Sequence, residues 1–343
     1  MSASVVSVAD PSIPSLSVVL DPVELRRILN ELRCSHDGES QDELQLRVLR
    51  HHPGKRCVFE IVAPGDRPRA WIGKVFAVDR ADVYRTMEAI RRSGFGAEAE
   101  FSIPLPIAYL PELRLLLQEK VAGLPATDLF LAADEAERER IARRCAEWLA
   151  RFHAAAPLSG PVFDLAQYQL SIERWSQRID GLGGTLAERA GQLRTQLERA
   201  LPAICDIGMR TCHGSFTHHQ VIVANGRIVT FDWDDHVLAD PAYDVARFVI
   251  GLRRLAFRSL HSIRSLDRVA DVFLDTYRTR YRSALPRGVA SSRGTEVTAN
   301  LPFYAAAICF RLAKKDVRHQ SEQWTEKAGA TLDEGVRILK EGI

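Results

Sequence analysis

Residues 211–235, TCHGSFTHHQVIVANGRIVTFDWDD, gather side chains that bind metal ions and transfer protons. Four residues separate Ser215 from Gln220, and Asp232 follows twelve positions later, with His213 just ahead of them. Carboxylate and amide oxygens bind Mg²⁺, and histidine exchanges protons near neutral pH. The apolar runs VIV and IVTF flank Ala-Asn-Gly-Arg, which is typical of a β-hairpin. The stretch therefore predicts a polar loop followed by a hairpin that ends at a further acid.

This spacing is that of a kinase catalytic loop, in which a base Asp, four residues and a metal-binding Asn precede a second metal-binding Asp. Here Ser215 stands at the base position and Gln220 at the Asn position. Gln keeps the amide oxygen on a side chain that is one methylene longer, so it can still reach Mg²⁺. A serine hydroxyl is a poor proton acceptor, and a general base contributes about 10²–10⁴ in rate. The loop thus predicts metal binding with slowed proton removal.

Other groups nearby can take the proton that Ser215 cannot. Asp234 lies two residues after Asp232, and on a strand both side chains would share a face, which makes Asp234 a second metal ligand or a displaced base. His218 lies inside the loop and has a side chain suited to proton transfer. His213 is a further candidate at the site, as a buried hydrogen-bonding residue that shapes the loop. The loop's three histidines and one cysteine match no standard zinc spacing.

The part of the chain before residue 120 contains candidates for nucleotide binding. Lys74 lies mid-strand in AWIGKVF, where a kinase places the lysine that contacts phosphates, and Glu88 on the next helix would be its partner. A solvated lysine on an edge strand is the alternative. The HHPGKR turn either covers phosphates with its N–H groups or is a plain hairpin. Gln118 and Val121, where the strands give way to helices, complete this set.

Element order separates two regions of different character. Five strands and one helix in the order β-β-β-α-β-β predict a mostly antiparallel sheet before a hinge at residues 119–124. A further helix over residues 21–33 starts at Asp21 and Pro22. Helical periodicity dominates afterwards. The expected helices cover residues 134–156, 166–178, 185–200, 241–258, 266–283, 299–318 and 320–340. Residues 1–18 are expected to be a flexible tail, and 285–298 a loop.

The motifs resemble those of the aminoglycoside phosphotransferase and choline kinase-like family. That family carries HGDxxxxN, a hairpin, IDWE and GDPAYDLA, and this chain has HGSFTHHQ, FDWDD and ADPAYDVA. The resemblance extends from about residue 42 to the last helices and is strongest over 211–250. It implies an α+β, two-lobed protein kinase-like fold. A nucleotide-binding lobe would span 19–121, and a mostly helical lobe with the catalytic loop and acceptor site would span 122–343.

The resemblance also implies an activity, namely Mg-ATP-dependent transfer of phosphate to a hydroxyl of a small molecule. Asp232 and Gln220 match the metal ligands, and Lys74 matches the phosphate-binding lysine. Asp240 and Asp244 match the two acids of the DPAYD motif, where Asp240 is also expected to cap the helix that starts at Pro241.

The two departures in the catalytic loop leave other functions open. One is a pseudokinase that binds nucleotide and serves a regulatory or scaffold role. Another is an accessory protein whose cleft binds no nucleotide.

The amino-acid composition limits the kinds of partner that we expect the protein to bind. The chain has 343 residues with 46 basic and 44 acidic side chains, a balance that excludes nucleic acid or a membrane as the main partner. Its six cysteines are scattered, and neither a signal peptide nor a long apolar segment is recognisable, so we expect a cytoplasmic monomer or homodimer. Residues 241–343 contain 18 Lys or Arg against 11 Asp or Glu, which favours a neutral or anionic acceptor over a polycation.

Overall fold

The computed structural model describes residues 9–32, 43–65, 68–204, 207–284 and 297–343. It divides into two compact units. The first comprises Met1–Gly123 with Ala224–Phe231, and the second comprises Leu124–Val223 with Asp232–Ile343. No helix in the described ranges is both long and apolar enough to span a membrane.

The first unit is built on a five-stranded antiparallel sheet in the order β1-β2-β3-β6-β5. Its strands are β1 (Gln45–His52), β2 (Arg56–Ala63), β3 (Arg69–Phe76), β5 (Pro106–Leu110) and β6 (Leu115–Glu119). Two short strands, β4 (Phe101–Ser102) and β10 (Arg227–Thr230), pair in parallel. The predicted antiparallel sheet is therefore confirmed, with β3 at its centre.

Among the described residues of this unit, three α-helices accompany these strands. They are α1 (Leu16–Val19), α2 (Pro22–Glu31) and α3 (Ala81–Arg92). Asp21 caps α2 as expected, because its Oδ1 accepts hydrogen bonds from the N–H groups of Val23 and Glu24 at 2.8 and 3.1 Å. Beyond α3, Gly94 has a φ of 102°, a conformation that glycine adopts without a side-chain clash.

Residues 10–18, assigned by composition to a flexible tail, instead pack onto the first unit. Ile13 and Leu16 are 1% and 2% exposed within its core, and the Ser15 hydroxyl donates to the carbonyl of Leu113 at 2.7 Å. The Ser and Pro content concealed this packing because the few apolar residues between them are the ones that become buried. Residues 1–8 lie outside the described residues.

The second unit is mostly helical. Its helices are α4 (Ala126–Ala132), α5 (Glu135–Ala155), α6 (Leu165–Asp180), α7 (Gly184–Ala200), α8 (Ala242–Leu260), α9 (Asp267–Ala284), α10 (Leu301–His319) and α11 (Trp324–Glu341). Strand β7 (Leu124–Pro125) pairs with β9 (Val221–Ala224), and β8 (Arg210–Cys212) pairs with β11 (Val237–Ala239), both antiparallel. Every predicted helix of this region is present. Most of the loop predicted over 285–298 falls on residues 285–296, outside the described residues.

An aromatic core in the second unit anchors the 211–235 stretch. Phe216, which follows Ser215, is fully buried, and its ring stacks on Trp148 at 5.6 Å and on Phe248 at 5.3 Å between centroids. Trp148 belongs to the apolar face of α5, on which Ile141, Cys145, Leu149 and Phe152 are buried as well. Burial of large aromatic rings contributes strongly to stability, so the loop is fixed from within at the position after Ser215.

Asp240 acts at the start of α8. Its Oδ1 accepts a hydrogen bond from the N–H of Ala242 at 2.8 Å, and its Oδ2 accepts one from Asn300 at 2.6 Å. The helix begins at Ala242, so Pro241 stands one position before the first helical residue rather than at it. The predicted capping role of Asp240 is therefore confirmed with a shift of one residue.

Candidate functional site

The loop that begins at His213 is held by one buried carboxylate. Asp244, on the first turn of α8, accepts hydrogen bonds from the backbone N–H groups of His213 at 2.6 Å and Gly214 at 2.9 Å. Its side chain is fully buried and faces His153 Nε2 at 3.3 Å, while His153 Nδ1 lies 2.8 Å from the Tyr277 hydroxyl. Burial opposes ionisation, yet the His153 imidazole and then His213, including its backbone N–H, hold the pKa of Asp244 below its usual value. Asp244 thus fixes the path of the loop just before Ser215.

Gly214 allows the loop to approach the following turn closely. Its φ is 76°, and a Cβ built there would lie 1.8 Å from the carbonyl oxygen of Asp235. The His213 ring packs against the Trp233 ring, with 4.6 Å between centroids. The turn over Trp233–Asp235 and the loop over His213–Ser215 therefore form one packed substructure.

Ser215 and His213 are in contact through their side chains. The Ser215 hydroxyl oxygen lies 3.2 Å from His213 Nδ1, and the Ser215 backbone N–H donates to the same nitrogen at 3.4 Å. Because an N–H group points at Nδ1, we assign that nitrogen as the unprotonated one, with the ring proton on Nε2. The Ser215 hydroxyl can then donate to His213, which leaves its oxygen lone pairs available to accept a proton from a third group.

The candidate metal ligands supply oxygen donors. The Gln220 side-chain oxygen accepts a hydrogen bond from the Thr217 hydroxyl, which orients it and leaves its second lone pair for a cation. Asp232 follows β10 in the left-handed region, at φ 72° and ψ 62°. Such a backbone costs about 1–3 kcal/mol outside glycine and is most common at functional sites. Oxygen ligands of this kind suit Mg²⁺.

The argument from side-chain alternation assumed that Asp232 and Asp234 lie on one strand, but the structure shows that they do not. The left-handed backbone of Asp232 ends the extended chain, and Trp233–Asp235 form a 3₁₀ turn. The alternation of side chains along a strand fails there, so the expectation that both carboxylates point to one face is corrected. Asp234 is 6% exposed and lies within the turn that packs on the His213 loop.

His218 is buried at the edge of the loop. Its Nδ1 lies 2.8 Å from the Thr127 hydroxyl on α4, and the exposed ring of His219 lies 4.0 Å away between centroids. Burial, together with the charge of His219, lowers the pKa of His218 to about 3. A group with this pKa is a weak proton acceptor at neutral pH, which lessens its fitness as a substitute base.

The depressed pKa of His218 predicts a pH-dependent stability. An unfolded histidine titrates near about 6.5. Between that value and the native pKa of about 3, the unfolded state binds more protons, so the free energy of unfolding falls as the pH is lowered. The slope reaches about 1.4 kcal/mol per pH unit. Urea unfolding at pH 7 and pH 5 should show wild type losing about 2 kcal/mol more than His218→Gln.

An exposed histidine provides the control for this measurement. His319 lies at the end of α10 and is exposed, so His319→Gln should follow the wild-type pH dependence. Equal pH dependence of wild type and His218→Gln would contradict the assigned burial of a neutral imidazole.

Lys74 and Glu88 lie in the first unit. Lys74 is 4% exposed in the central strand β3, between Val58 of β2 and Leu116 of β6. This position excludes the alternative of a solvated lysine on an edge strand. Glu88, on α3, accepts hydrogen bonds from Arg91 at 3.0 Å and Arg92 at 2.7 Å. The Arg91 guanidinium and then the other arginine hold the pKa of Glu88 low against the effect of burial.

The remaining candidates of the first unit occupy the sheet and its hairpin. Gln118 is 4% exposed on β6, opposite Ile72, and Val121 lies partly buried just beyond that strand. The HHPGKR segment forms the predicted hairpin turn, and the N–H of Gly54 donates to the carboxylate of Asp10 at 2.8 Å. That N–H group is thus bonded to an anionic side chain of the same unit.

One compact set of potential metal ligands lies behind the loop. His153, Cys212 and Asp244 present ligand atoms within 4.8 Å of one another, and all three are buried. Burial raises the pKa of the Cys212 thiol well above its usual value, so this sulfur stays protonated and lies 3.7 Å from the carbonyl oxygens of Ala239 and Asp240. The set is a hydrogen-bonded support for the loop.

Sequence reasoning missed several residues that build the site. Thr127, Thr217 and His153 support the loop through hydrogen bonds that no spacing rule reports. Arg247 and Arg311 carried a usable signal, because each interrupts an apolar helical run, in DVARFVI and ICFRLA. A charged residue on the buried face of a helix is rare unless it is paired or binds a ligand.

Solved structures of the same fold include several small-molecule kinases. A thermostable mutant of the aminoglycoside phosphotransferase APH(4)-Ia, in a ternary complex with ADP and hygromycin B, is 18% identical, covers 93% of this chain and 99% of its own, and has a TM-score of 0.58. Choline kinase LicA from Streptococcus pneumoniae is 14% identical over 92% of this chain and 98% of its own, with a TM-score of 0.56. A glucosamine kinase is 17% identical over 90% and 82%, with a TM-score of 0.60.

These similarities establish the two-lobed kinase-like α+β fold that the motifs predicted. A search of curated protein sequences gave no match. The family model described as the phosphotransferase enzyme family matches residues 64–287, which is more than half of the chain and includes the catalytic-loop motif. The chain therefore belongs to the phosphotransferase enzyme family.

Proposed function

We propose that the protein is a Mg-ATP-dependent phosphotransferase that acts on a hydroxyl group of a small molecule, with an atypical catalytic loop. The observation that carries the proposal is the fixed geometry of that loop. Asp244 binds two consecutive backbone N–H groups ahead of Ser215, and the buried ring of Phe216 anchors the chain directly after it. A buried carboxylate is costly unless its hydrogen bonds are satisfied, so this arrangement holds the backbone on both sides of Ser215 in one defined position.

Candidate residues for metal binding lie in the second unit, and candidate residues for nucleotide binding lie in the first. Gln220 and Asp232 would bind Mg²⁺, which neutralises charge on the phosphates when bound. Lys74 would contact the phosphates, and Glu88, Gln118 and Val121 would belong to the nucleotide site. The ADP in the APH(4)-Ia complex supports a nucleotide as the phosphate donor.

The reaction would transfer the γ-phosphoryl group of ATP to the acceptor. A bond forms between the acceptor hydroxyl oxygen and the γ-phosphorus, the bond to the β,γ-bridging oxygen breaks, and ADP leaves. The hydroxyl proton would pass to Ser215 Oγ while the Ser215 proton moves to His213 Nδ1, 3.2 Å away. A serine paired with histidine is a recurrent way to activate a hydroxyl.

Four variants separate this proton route from the two other candidate bases. We expect Ser215→Ala and His213→Asn to lower kcat by about 10²-fold or more, whereas Asp234→Asn and His218→Gln should retain most of it. Full turnover by Ser215→Ala would contradict the Ser215–His213 route. If Ser215→Ala kept full turnover and Asp234→Asn lost it, Asp234 would be the favoured base.

The acceptor is proposed to be a neutral or anionic small molecule rather than a polycation, on the basis of the basic surplus in residues 241–343. A pseudokinase that binds nucleotide in a regulatory or scaffold role is the second candidate. The substitution of both the base Asp and the metal-binding Asn in one loop favours it.

Calorimetric titration of ATP with and without Mg²⁺ tests the proposed site. Wild type should bind ATP more tightly with Mg²⁺, and Asp232→Asn should lose at least about tenfold of that Mg-dependent affinity while keeping its metal-free affinity. Asp275→Asn is the matched control because the Asp275 side chain is 80% exposed on α9. If wild type binds ATP neither with nor without Mg²⁺, both the phosphotransferase proposal and the pseudokinase proposal are overturned.

A further inference from the structure

A buried arginine in the second unit forms no ion pair with any residue in the described part of the chain. Arg247, one turn after Asp244 on α8, is 7% exposed. Its Nη2 donates to the Tyr243 hydroxyl at 3.0 Å, and its guanidinium lies 4.9 Å from the centre of that ring. Its buried Nε has no hydrogen-bond partner, and no carboxylate of the described residues pairs with the side chain. Buried guanidinium groups normally bind a carboxylate or phosphate, so Arg247 has unused capacity for an anion.

A second orphaned donor lies beside it. Tyr168, on α6, is 9% exposed, and its hydroxyl is buried without a hydrogen-bond partner in the described part of the chain. The Tyr168 and Tyr243 rings meet edge to face at 6.1 Å between centroids. Burial raises the pKa of Tyr168, so its hydroxyl stays protonated and can donate. Two unsatisfied donors on neighbouring side chains are an expensive arrangement unless a ligand accepts from both.

Helix α10 adds further positive charge to the same place. Tyr304 packs against Tyr243 at 5.7 Å, and Arg311 lies two helical turns later on the same face. Lys314 lies over the Trp175 ring at 5.6 Å, and Trp175 in turn meets Tyr168 at 5.7 Å. Arg311 lies between Tyr304 and Lys314 on α10, and the ring contacts of these two residues place it beside Arg247 and Tyr168.

The pKa shifts of Arg311 and Lys314 agree with the placement of Arg311 beside Arg247. Arg311 is partly buried and forms no hydrogen bond or ion pair with any described residue. Burial and then the charge of Arg247 lower the pKa of Arg311. Burial and then the charge of Arg311 lower the pKa of Lys314. Like charges held together at a partly buried position are stabilised by a bound anion.

The cluster adjoins the catalytic loop. Asp244, which holds the loop, is one turn from Arg247 on α8. The charge of Asp235 acts on Arg311, and the Asp235 carbonyl is the group against which Gly214 packs. A small molecule bound to the arginines would therefore extend toward Ser215.

We propose that Arg247, Arg311 and Tyr168 form a subsite for the anionic group of the acceptor, which is a hydroxyl compound that carries a carboxylate or a phosphate group. The inference rests on the proposed function and assigns the class of its substrate. The two guanidinium groups can bind either anion through paired N–H donors, and the Tyr168 hydroxyl supplies a further donor. Lys314 adds charge that attracts the anion to the site.

Matched series of compounds test the subsite by equilibrium binding without nucleotide. Glycerol, glycerate and glycerol 3-phosphate form one series, and glucose, gluconate and glucose 6-phosphate form another, with hygromycin B as a cationic probe. We expect an anionic member to bind wild type at least tenfold more tightly than its neutral counterpart. Whether the carboxylate or the phosphate member binds more tightly identifies the anion.

Variants then locate the binding. Arg311→Gln, at a partly buried position, and Arg247→Met, of similar volume, should each abolish the preference for the anion. Lys340→Gln, at an exposed position on α11, should retain it. Thermal unfolding of each variant shows whether it is folded. Retention of the preference by folded Arg311→Gln, or tighter binding of neutral compounds or hygromycin B by wild type, would overturn the subsite. So would the absence of measurable binding for every anion.

The outcome separates the subsite from the phosphotransfer on which it rests. Anion binding that depends on Arg311, in a protein that binds no ATP, would retain the subsite and overturn the proposed function. Transfer of phosphate to neutral or cationic compounds, unaffected by Arg311→Gln, would retain the function and overturn the subsite.

Discussion

Replacement of Asp244 by Asn should destabilise the protein by about 3–5 kcal/mol, because a buried, hydrogen-bonded carboxylate that holds the loop would be lost. The Asp244 carboxylate accepts from His213 N and Gly214 N and faces His153. An Asn side chain has one acceptor oxygen, and its NH₂ group would face either a backbone N–H or the histidine. The variant is isosteric, so packing stays the same and the loss reports on charge and hydrogen bonding alone.

Urea unfolding near neutral pH measures this effect. Asp275→Asn makes the same chemical change at a side chain that is 80% exposed, and its midpoint should match that of wild type. The Asp244→Asn variant should also bind Mg-ATP less tightly, because the loop that includes Gln220 loses its anchor. Similar midpoints for both variants would show that Asp244 does not hold the loop.

Replacement of Gly214 by Ala is expected to have the second large effect. The added Cβ would lie 1.8 Å from the Asp235 carbonyl oxygen, which belongs to the backbone and cannot move without displacing the Trp233–Asp235 turn. Left-handed backbone strain of about 1–2 kcal/mol adds to an overpacking cost of about 1–3 kcal/mol. We therefore expect a loss of about 2–5 kcal/mol.

A variant at Gly226 distinguishes the effect of backbone strain from the effect of the close contact that Gly214 makes. It has a φ of 79°, yet a Cβ there would meet nothing within 4 Å. Gly226→Ala should therefore lose only the backbone strain of about 1–2 kcal/mol. The comparison uses urea unfolding of both variants. Equal losses would mean that the contact between Gly214 and Asp235 has no energetic importance.

Local pattern was enough to predict most elements of the fold. Helical periodicity over residues 134–156 identified α5, and the position of Lys74 among apolar residues identified β3 as a strand. These features depend on interactions between residues close in sequence, which periodicity reports. The motif spacing from Ser215 to Asp232 also indicated the family, since loop and hairpin lengths are set locally.

The contacts that make the site could not be predicted in the same way. Asp232 and Asp234 were expected on one face because alternation presumes an extended chain, and a single left-handed residue ended it. The Ser215–His213 contact depends on the backbone angle of Gly214. Arg247 and Arg311 are 64 positions apart, and only the packing of α8 and α10 around Tyr243 and Tyr304 brings them together.

Phosphate transfer from γ-labelled ATP, across hydroxyl compounds of both matched series and with Mg²⁺ present, tests the central claim most directly. Wild type should place label on at least one anionic acceptor, and Ser215→Asp, which restores a carboxylate base, should do so faster. Transfer that requires Ser215→Asp, with ATP binding but no labelled product in wild type, would contradict the account and identify a pseudokinase. No labelled product from either protein would contradict the assignment of a phosphotransferase for these acceptors altogether.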